Sequence, residues 1–268
     1  MLITGHPQFS TQNDAGIGDG IPPVPEWQLD PSALHDDLDL GSDYIEYEVK
    51  NVLVRLRNAF QRAQQIPFPT TQLHDLTCFV VHRLLLSASD TTNIEPLSPF
   101  TECIRYAIIL YMFIIQGPTY YSHAVIFNTI VAQFMEHLKK LQSTPHVSES
   151  IDVWLLAIGM VASTGTRHYQ WFTKKAQGVA SSLQLGNWSD ILIHIKRVLW
   201  LETLQSECIF RPHWDAIISP SSQPGPSDFS ILGSQDNIGA GFLQNTISPA
   251  NLIISSPEFA GTMEGNGT

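Results

Sequence analysis

Apolar residues recur at helical spacing along most of the chain, beginning just after Asp43. They lie three or four positions apart, as on one face of a helix: Ile45, Val49, Val52, Leu53, Leu56, Phe60 and Ala63. Asp43 followed three residues later by Glu46 is a variant of the capping box that opens helices. Pro67 and Pro69 then end the element, because proline has no amide proton to donate. The pattern predicts a first helix over residues 43–63.

Further segments show the same periodicity, and several have clear start signals. Ser98 and Pro99 are the residue types preferred at an N-cap and at the first helical position, and Ser122 can cap the helix that follows. Asn187 with Asp190 opens the last helix in a similar way. The pattern predicts helices over residues 71–88, 98–116, 122–141, 152–164, 171–183 and 187–199.

Glycine and proline mark the ends of these segments. Gly117 with Pro118 stops one helix, and Gly165 suits a left-handed residue at the end of another. Pro212 is expected to break the continuation of the last helix before Trp214. The turns between the helices are therefore predicted from residues that cannot continue a helix.

The fold class that follows is all-α, a single irregular multi-helix domain over residues 43–218. No alternating strand pattern competes within that range. The segment from Cys103 to Gln116 is apolar nearly all round, but it contains Arg105 and is shorter than the roughly 20 apolar residues that span a bilayer, so it is predicted to be a core helix. Residues 1–42 are expected to form a mostly disordered acidic arm, and residues 219–268 a disordered Ser/Gly/Pro-rich tail.

Charge is distributed unevenly along the chain. The net charge of −11 arises at the ends: residues 1–49 carry ten carboxylates and no Lys or Arg, and residues 212–268 carry five and none. The middle has 14 cations against 10 anions, far fewer than a phosphate-binding surface needs. We therefore expect no direct nucleic-acid binding by this chain alone.

The three cysteines, Cys78, Cys103 and Cys208, lie far apart in apolar helical patterns. A disulfide framework would show an even number at loop spacings, so reduced, buried thiols are expected. The N-terminus lacks a cationic region followed by an apolar stretch, so neither secretion nor a membrane anchor is indicated. The chain is predicted to be intracellular.

The acidic arm contains two patterns with a candidate function. Asp36, Asp37 and Asp39 resemble the aspartate motifs that chelate magnesium in helical cyclases, but they precede the first helix and favour a solvated acidic segment. The arm also alternates Trp27 and several leucines with carboxylates, which is typical of amphipathic activation segments that fold on a partner. An inert linker fits that composition equally well.

No residue pattern indicates catalysis, a cofactor or a metal. The ten histidines lack the spacings that place two imidazoles on one metal. Cys208 with His213 lacks a flanking signature and a third orienting group. No nucleophile elbow, phosphate loop or dinucleotide fingerprint occurs, and the glycine run Gly16-x-Gly18-x-Gly20 lies in the arm without a predicted strand before it. The sequence predicts a protein that is not an enzyme, with no catalytic, cofactor-binding or metal residues.

The stretch from Ile151 to Ile217 contains a characteristic order of aromatic and turn residues. It comprises Trp154 in an apolar helix, the stop Thr164-Gly165, the pair Trp171-Phe172, the triplet Leu199-Trp200-Leu201 and the turn Pro212-x-Trp214. This order resembles the C-terminal helical region of fungal binuclear zinc-cluster transcription factors, and the resemblance covers about residues 70–218.

The loop from Thr164 to Phe172 is the part of this stretch with a candidate functional role. The favoured interpretation is an interhelix turn that inserts Trp171 and Phe172 into the core. The alternative places Arg167, His168 and Tyr169 at the rim of an effector pocket.

The resemblance implies a nuclear, all-helical regulatory domain of a fungal transcription factor, which controls a metabolic or secondary-metabolite gene set. Its expected partners are proteins of the transcription machinery, a DNA-binding partner or a small-molecule effector. The family's six-cysteine zinc cluster is missing here, which leaves open a truncated gene model, a borrowed DNA reader or a lost role. The alternatives from other classes are a helical enzyme acting on a small lipophilic substrate and a non-catalytic scaffold protein.

Overall fold

The computed structural model describes residues 12–13, 16–17, 25–27, 45–89, 97–117, 124–141 and 148–218. In this part of the chain the fold is all-α, which confirms the predicted fold class. Eight α-helices build it: α1 Tyr47–Ala63, α2 Thr70–Ser89, α3 Pro99–Gln116, α4 Ala124–Leu141, α5 Glu149–Ala162, α6 Tyr169–Ser182, α7 Trp188–Val198 and α8 Leu204–Ile218.

Three short elements precede the helices. The two-residue strands β1 (Gln12–Asn13) and β2 (Gly16–Ile17) pair antiparallel, and Pro25–Trp27 is one turn of 3-10 helix. Every described residue belongs to one unit, residues 1–223, and the second unit, 224–268, lies outside the described residues. The predicted tail, the predicted cap at Ser122 and most of the predicted arm also lie outside them.

Two predicted start signals act as expected. The amide of Thr101 donates to Ser98 Oγ at 3.1 Å at the start of α3, and the amide of Asp190 donates to Asn187 Oδ1 at 3.1 Å at the start of α7. Each bond satisfies an amide that has no partner within its helix. The predicted stop at Gly165 is confirmed by its left-handed backbone, with φ of 76°.

The start of α1 was predicted wrongly. The helix begins at Tyr47 with Glu46 at its N-cap, rather than at Asp43. The side chain of Glu46 makes no capping bond, and its amide instead donates to Thr101 Oγ1 of α3 at 3.2 Å. A tertiary contact therefore takes the place of the predicted capping box.

The predicted break at Pro212 is also wrong, because Pro212 lies inside α8. The helical run ends earlier, at Val198, and α8 starts after Thr203, whose Oγ1 accepts from the amide of Ser206 at 3.0 Å. Proline leaves the carbonyl of Cys208 without its usual amide donor and crowds it. Packing of Phe210 and Trp214, both almost fully buried on either side of the proline, accompanies the continued helix.

The core is organised around α5. This helix contacts α3, α4, α6, α7 and α8, and every residue from Val153 to Met160 is buried. A helix that is apolar all round can be accommodated only inside a larger array. By length and composition α3 could cross a membrane, but 72% of it is buried within the protein. This burial agrees with the prediction that the segment is a core helix.

The contact between α5 and α6 depends on a glycine. A Cβ atom at Gly159 would overlap the ring of Phe172, which is fully buried and stacks on Phe134 with ring centroids 5.8 Å apart. Because Gly159 has no side chain, the Phe172 ring can lie directly against the α5 backbone. Gly178, on α6, has no neighbour within 4 Å of the position of a Cβ atom.

At Trp27 the arm is packed against the helices. Its indole is fully buried, lies 5.1 Å from the Phe79 ring between centroids, and faces the Arg55 guanidinium at 5.5 Å. Arg55 NH1 also donates to the Trp27 carbonyl at 3.0 Å. The sequence predicts that Trp27 belongs to a mostly disordered arm, either an activation segment or an inert linker, whereas the structure places its side chain in the core. The remaining residues of that segment before Ile45 lie outside the described residues.

The two glycines provide a matched test of the core. Gly159→Ala should lower the free energy of unfolding by about 1–3 kcal/mol, because the added methyl group overpacks the Phe172 ring. Gly178→Ala should raise it by roughly 0.5–1 kcal/mol through helix propensity alone. Chemical denaturation measures both values. Equal effects of the two substitutions would show that Phe172 does not lie on Gly159.

Candidate functional site

Two of the five pieces that carry the sequence resemblance, Trp154 and the Leu199-Trp200-Leu201 triplet, meet at the connection between α7 and α8. Trp154 Nε1 of α5 donates to the carbonyl of Leu199 at 2.9 Å. The amide of Leu201 donates to the hydroxyl of Tyr111 of α3 at 2.8 Å. Both bonds are buried, and they satisfy backbone groups of a segment that is outside any helix. We call this segment, Leu199–Thr203, the α7–α8 connection.

Aromatic rings surround the α7–α8 connection. Trp200 lies between Trp188 of α7 and Phe210 of α8, with ring centroids 6.2 Å and 5.5 Å away, both edge to face. The Tyr111 ring lies 5.9 Å from Phe210 and 6.3 Å from Trp154. Burial raises the pKa of Tyr111, so its hydroxyl stays protonated. The cluster therefore fixes four helices at one point.

Sequence reasoning selected Trp154 and Trp200 but missed Tyr111. The tyrosine lies 90 positions from its partner Leu201, inside a helix that is apolar nearly all round. Its hydroxyl is a polar group that needs a partner when buried, which is the one signal the sequence offered.

The predicted turn between α5 and α6 spans residues 163–168, and Trp171 and Phe172 already belong to α6. Phe172 is fully buried, as expected, but Trp171 is only half-buried, so the expectation that both rings enter the core is wrong for Trp171. Of the residues proposed for an effector rim, Arg167 is exposed and His168 is half-buried. Tyr169 is held by His213, whose Nδ1 lies 3.0 Å from its hydroxyl.

The bond between Tyr169 and His213 joins the start of α6 to α8. Their rings also meet edge to face, with centroids 5.6 Å apart. Burial lowers the pKa of His213, so the neutral imidazole is favoured in the folded protein. His213 is therefore partnered by the Tyr169 hydroxyl, not by the Cys208 thiol of the nucleophile–base pair that the sequence analysis rejected.

All three cysteines are free thiols. Cys103 is buried, as predicted, but Cys78 and Cys208 are exposed, so the predicted burial is wrong for these two. Burial raises the pKa of Cys103. Partial desolvation of the Cys78 thiol, on a residue whose surface is otherwise exposed, raises the pKa of Cys78, and the nearby Asp75 carboxylate raises it further. Neither thiol is activated as a nucleophile.

Two lysine side chains lie near the half-buried Trp171. The ammonium groups of Lys139 (α4) and Lys175 (α6) lie 6.0 Å and 5.9 Å from the centre of its indole ring. Lys140 and Lys174, the sequence neighbours of these two lysines, are exposed. The two lysine pairs are visible in the sequence, but the approach of Lys139 and Lys175 to one indole ring is not, because α4 and α6 are separated by α5 along the chain.

A second polar group lies between α3 and α4. Arg105 makes two bonds to the carboxylate of Glu102, at 3.2 Å and 2.6 Å, and both side chains are buried. The guanidinium lies 4.5 Å from the centre of the Tyr106 ring, which stacks on His137. Burial, the dominant effect, lowers the pKa of His137. The paired geometry neutralises the buried charges and favours a structural role.

A third polar pair links α5 to α7. Ser150 Oγ, in the first turn of α5, lies 3.1 Å from His194 Nδ1. The two residues are 44 positions apart, so only the packing of the helices brings them together. Among the described residues, no group of three or more His, Cys, Asp or Glu side chains could hold a metal ion. Asp36, Asp37 and Asp39 lie outside that part of the chain.

Removing either hydrogen bond to the α7–α8 connection should destabilise the protein. Trp154→Phe leaves the Leu199 carbonyl without its donor, and Tyr111→Phe leaves the Leu201 amide without its acceptor. Each should lower the free energy of unfolding by about 1–3 kcal/mol, the cost of an unsatisfied buried group. Trp188→Phe is the matched control, because Trp188 Nε1 is buried without a partner among the described residues. A loss as large in the control as in Trp154→Phe would contradict the role of the bond.

The half-buried His213 should make stability depend on pH. Its folded-state pKa lies below the unfolded value of about 6.5, so the unfolded chain binds more protons in between. The free energy of unfolding should therefore fall as pH drops from about 7.5 through 6.5. His213→Gln should reduce this fall in denaturation curves recorded across that range. An unchanged or steeper pH dependence in the variant would refute the assignment.

Comparisons of the chain with models of protein families, with characterised proteins and with solved structures found no match. The resemblance to the fungal zinc-cluster regulators therefore stays a prediction that rests on the residue pattern.

Proposed function

We propose that this chain is a regulatory domain of a fungal transcriptional regulator, without a DNA-binding zinc cluster of its own. One observation supports the proposal above the others: Trp154 and the Leu199-Trp200-Leu201 triplet, selected by the resemblance, are hydrogen-bonded to each other across 45 positions. If the resemblance were a chance similarity of single residues, no contact between these particular residues would be expected from it.

The arrangement suits a domain that acts through its surfaces. In the described part of the chain the largest buried side chains are aromatic and aliphatic, and they pack the helices around α5. Two exposed cations are paired: Lys196 with Glu202 at 2.6 Å, and Arg211 with Glu207 and Asp215 at 3.0 Å and 3.1 Å. Paired cations contribute little to phosphate binding, which supports a partner-dependent route to DNA. Nuclear localisation belongs to the same proposal.

A tethering assay in a fungal host tests the regulatory role. The full chain, fused to an unrelated DNA-binding module, should change transcription of a reporter that carries the module's sites, compared with the module alone. The doubly substituted fusion Trp154→Phe with Tyr111→Phe should lose most of this change, because the α7–α8 connection is no longer fixed. Reporter RNA is measured at matched levels of DNA-bound fusion.

An unchanged reporter at equal occupancy would contradict the regulatory role. The purified chain without the module should leave duplex DNA unshifted at physiological salt, and specific binding by the chain alone would contradict the partner-dependent route.

A further inference from the structure

An imidazole and a thiol meet on the exposed side of α2. His74 and Cys78 are four residues apart, a spacing that places two side chains on the same side of a helix, one turn apart. Both residues are exposed. The Sγ atom of Cys78 lies 3.7 Å from Nε2 of His74. Two atoms that can both bind a metal ion are therefore neighbours at the surface.

The separation of these two atoms matches that of two ligands on one zinc ion. Zn–S bonds are about 2.3 Å long and Zn–N bonds about 2.0–2.1 Å, so tetrahedral coordination places sulfur and nitrogen about 3.6 Å apart. An ion can therefore bind both Cys78 Sγ and His74 Nε2 after only a slight movement of the side chains. A search for paired imidazoles in the sequence misses this site, because one of its ligands is a thiol.

A residue of another helix orients the imidazole. The side-chain amide of Gln116, the last residue of α3, is hydrogen-bonded to Nδ1 of His74, the ring nitrogen that does not approach the thiol. The amide carries a donor and an acceptor, so a half-turn lets Oε1 accept a proton from Nδ1 and leaves Nε2 free to bind metal. Metal-binding histidines almost always have a hydrogen-bond partner at the second nitrogen.

The charge and exposure of the site suit a cation that keeps some of its water. The Asp75 carboxylate is close enough to add to the effect of desolvation on the Cys78 thiol, and its negative charge attracts a cation. Among the described residues no group of three His, Cys, Asp or Glu side chains could hold a metal ion. The protein therefore supplies two ligands here, and water occupies the remaining positions.

We propose that His74 and Cys78 bind a thiophilic divalent metal ion, best matched by Zn²⁺, and that Gln116 positions the imidazole. Thiolate and imidazole ligands favour zinc, whereas Mg²⁺ and Ca²⁺ take oxygen ligands. The thiol proton passes to water as the ion binds. This site lies between α2 and α3 and is independent of the transcriptional role proposed above.

Alkylation of the unsubstituted, full-length chain tests the site directly. Zn²⁺ alone, added to the reduced and untagged protein, should suppress modification of Cys78 by iodoacetamide, because the sulfur is bound to the metal. Cys208 is the matched control: it is also exposed, and its nearest histidine along the chain, His213, is bonded to Tyr169 instead. Mass spectrometry of the modified peptides measures both sites. No protection of Cys78, or equal protection of Cys208, would overturn the proposal.

Calorimetric titration with Zn²⁺ identifies the ligands. Losing the hydrogen-bond partner of a metal-binding residue typically weakens binding about 10- to 100-fold, so His74→Gln and Cys78→Ser, which remove a ligand itself, should each cost at least about tenfold. Cys208→Ser should bind as the unsubstituted chain does. Unchanged binding in Cys78→Ser or His74→Gln would show adventitious binding by other histidines and would reject the site. Equal affinity for Mg²⁺ would reject it as well.

Gln116 has its own test as a positioning residue. Gln116→Ala should weaken Zn²⁺ binding by about tenfold or more, and Cys78 should still become protected at higher Zn²⁺. Gln116→Glu should restore tight binding, because its carboxylate accepts the same proton from His74 Nδ1. Unchanged binding in Gln116→Ala, or no rescue by Gln116→Glu, would contradict this role. Circular dichroism checks that each variant is folded, and the alkylation of the unsubstituted chain decides if a variant is not.

Discussion

The structure depends on two buried hydrogen bonds that hold a non-helical stretch of backbone inside a helical protein. The Leu199 carbonyl and the Leu201 amide have no helical partner, so they require donors and acceptors from elsewhere. Trp154 and Tyr111 supply them from α5 and α3. Because these side chains belong to the central helices, the α7–α8 connection fixes the position of α8 against the core.

Packing around α5 provides the frame in which those bonds form. Gly159 lets the Phe172 ring lie on the α5 backbone, and this contact places α6 close to α5. Trp171, the neighbour of Phe172, is thereby carried to the surface beside Lys139 of α4. The same local geometry therefore positions one aromatic ring in the core and its neighbour at the surface.

The sequence predicted most of the fold because the signals for its helices are local. Ser98 and Asn187 cap their helices by accepting hydrogen bonds from amides three residues further on. Signals this close together are visible in the sequence. The predictions are wrong where tertiary contacts determine the helix ends. Thr101 of α3 accepts the hydrogen bond from the amide of Glu46, and α8 continues through Pro212. The candidate site was only partly predictable. Trp154 and Trp200 belonged to a recognisable pattern, whereas Tyr111, the Tyr169–His213 bond and the meeting of Lys139 with Lys175 join residues from distant positions.

Hydrogen exchange at the Leu201 amide, followed by nuclear magnetic resonance, tests the central claim most directly. If the Tyr111 hydroxyl holds this amide inside the core, its protection should match that of buried α5 amides such as Ile158, although Leu201 lies outside any helix. In Tyr111→Phe the protection of Leu201 should fall well below that of Ile158. Rapid exchange of Leu201 in the unaltered protein, or equal protection in the variant, would contradict the account.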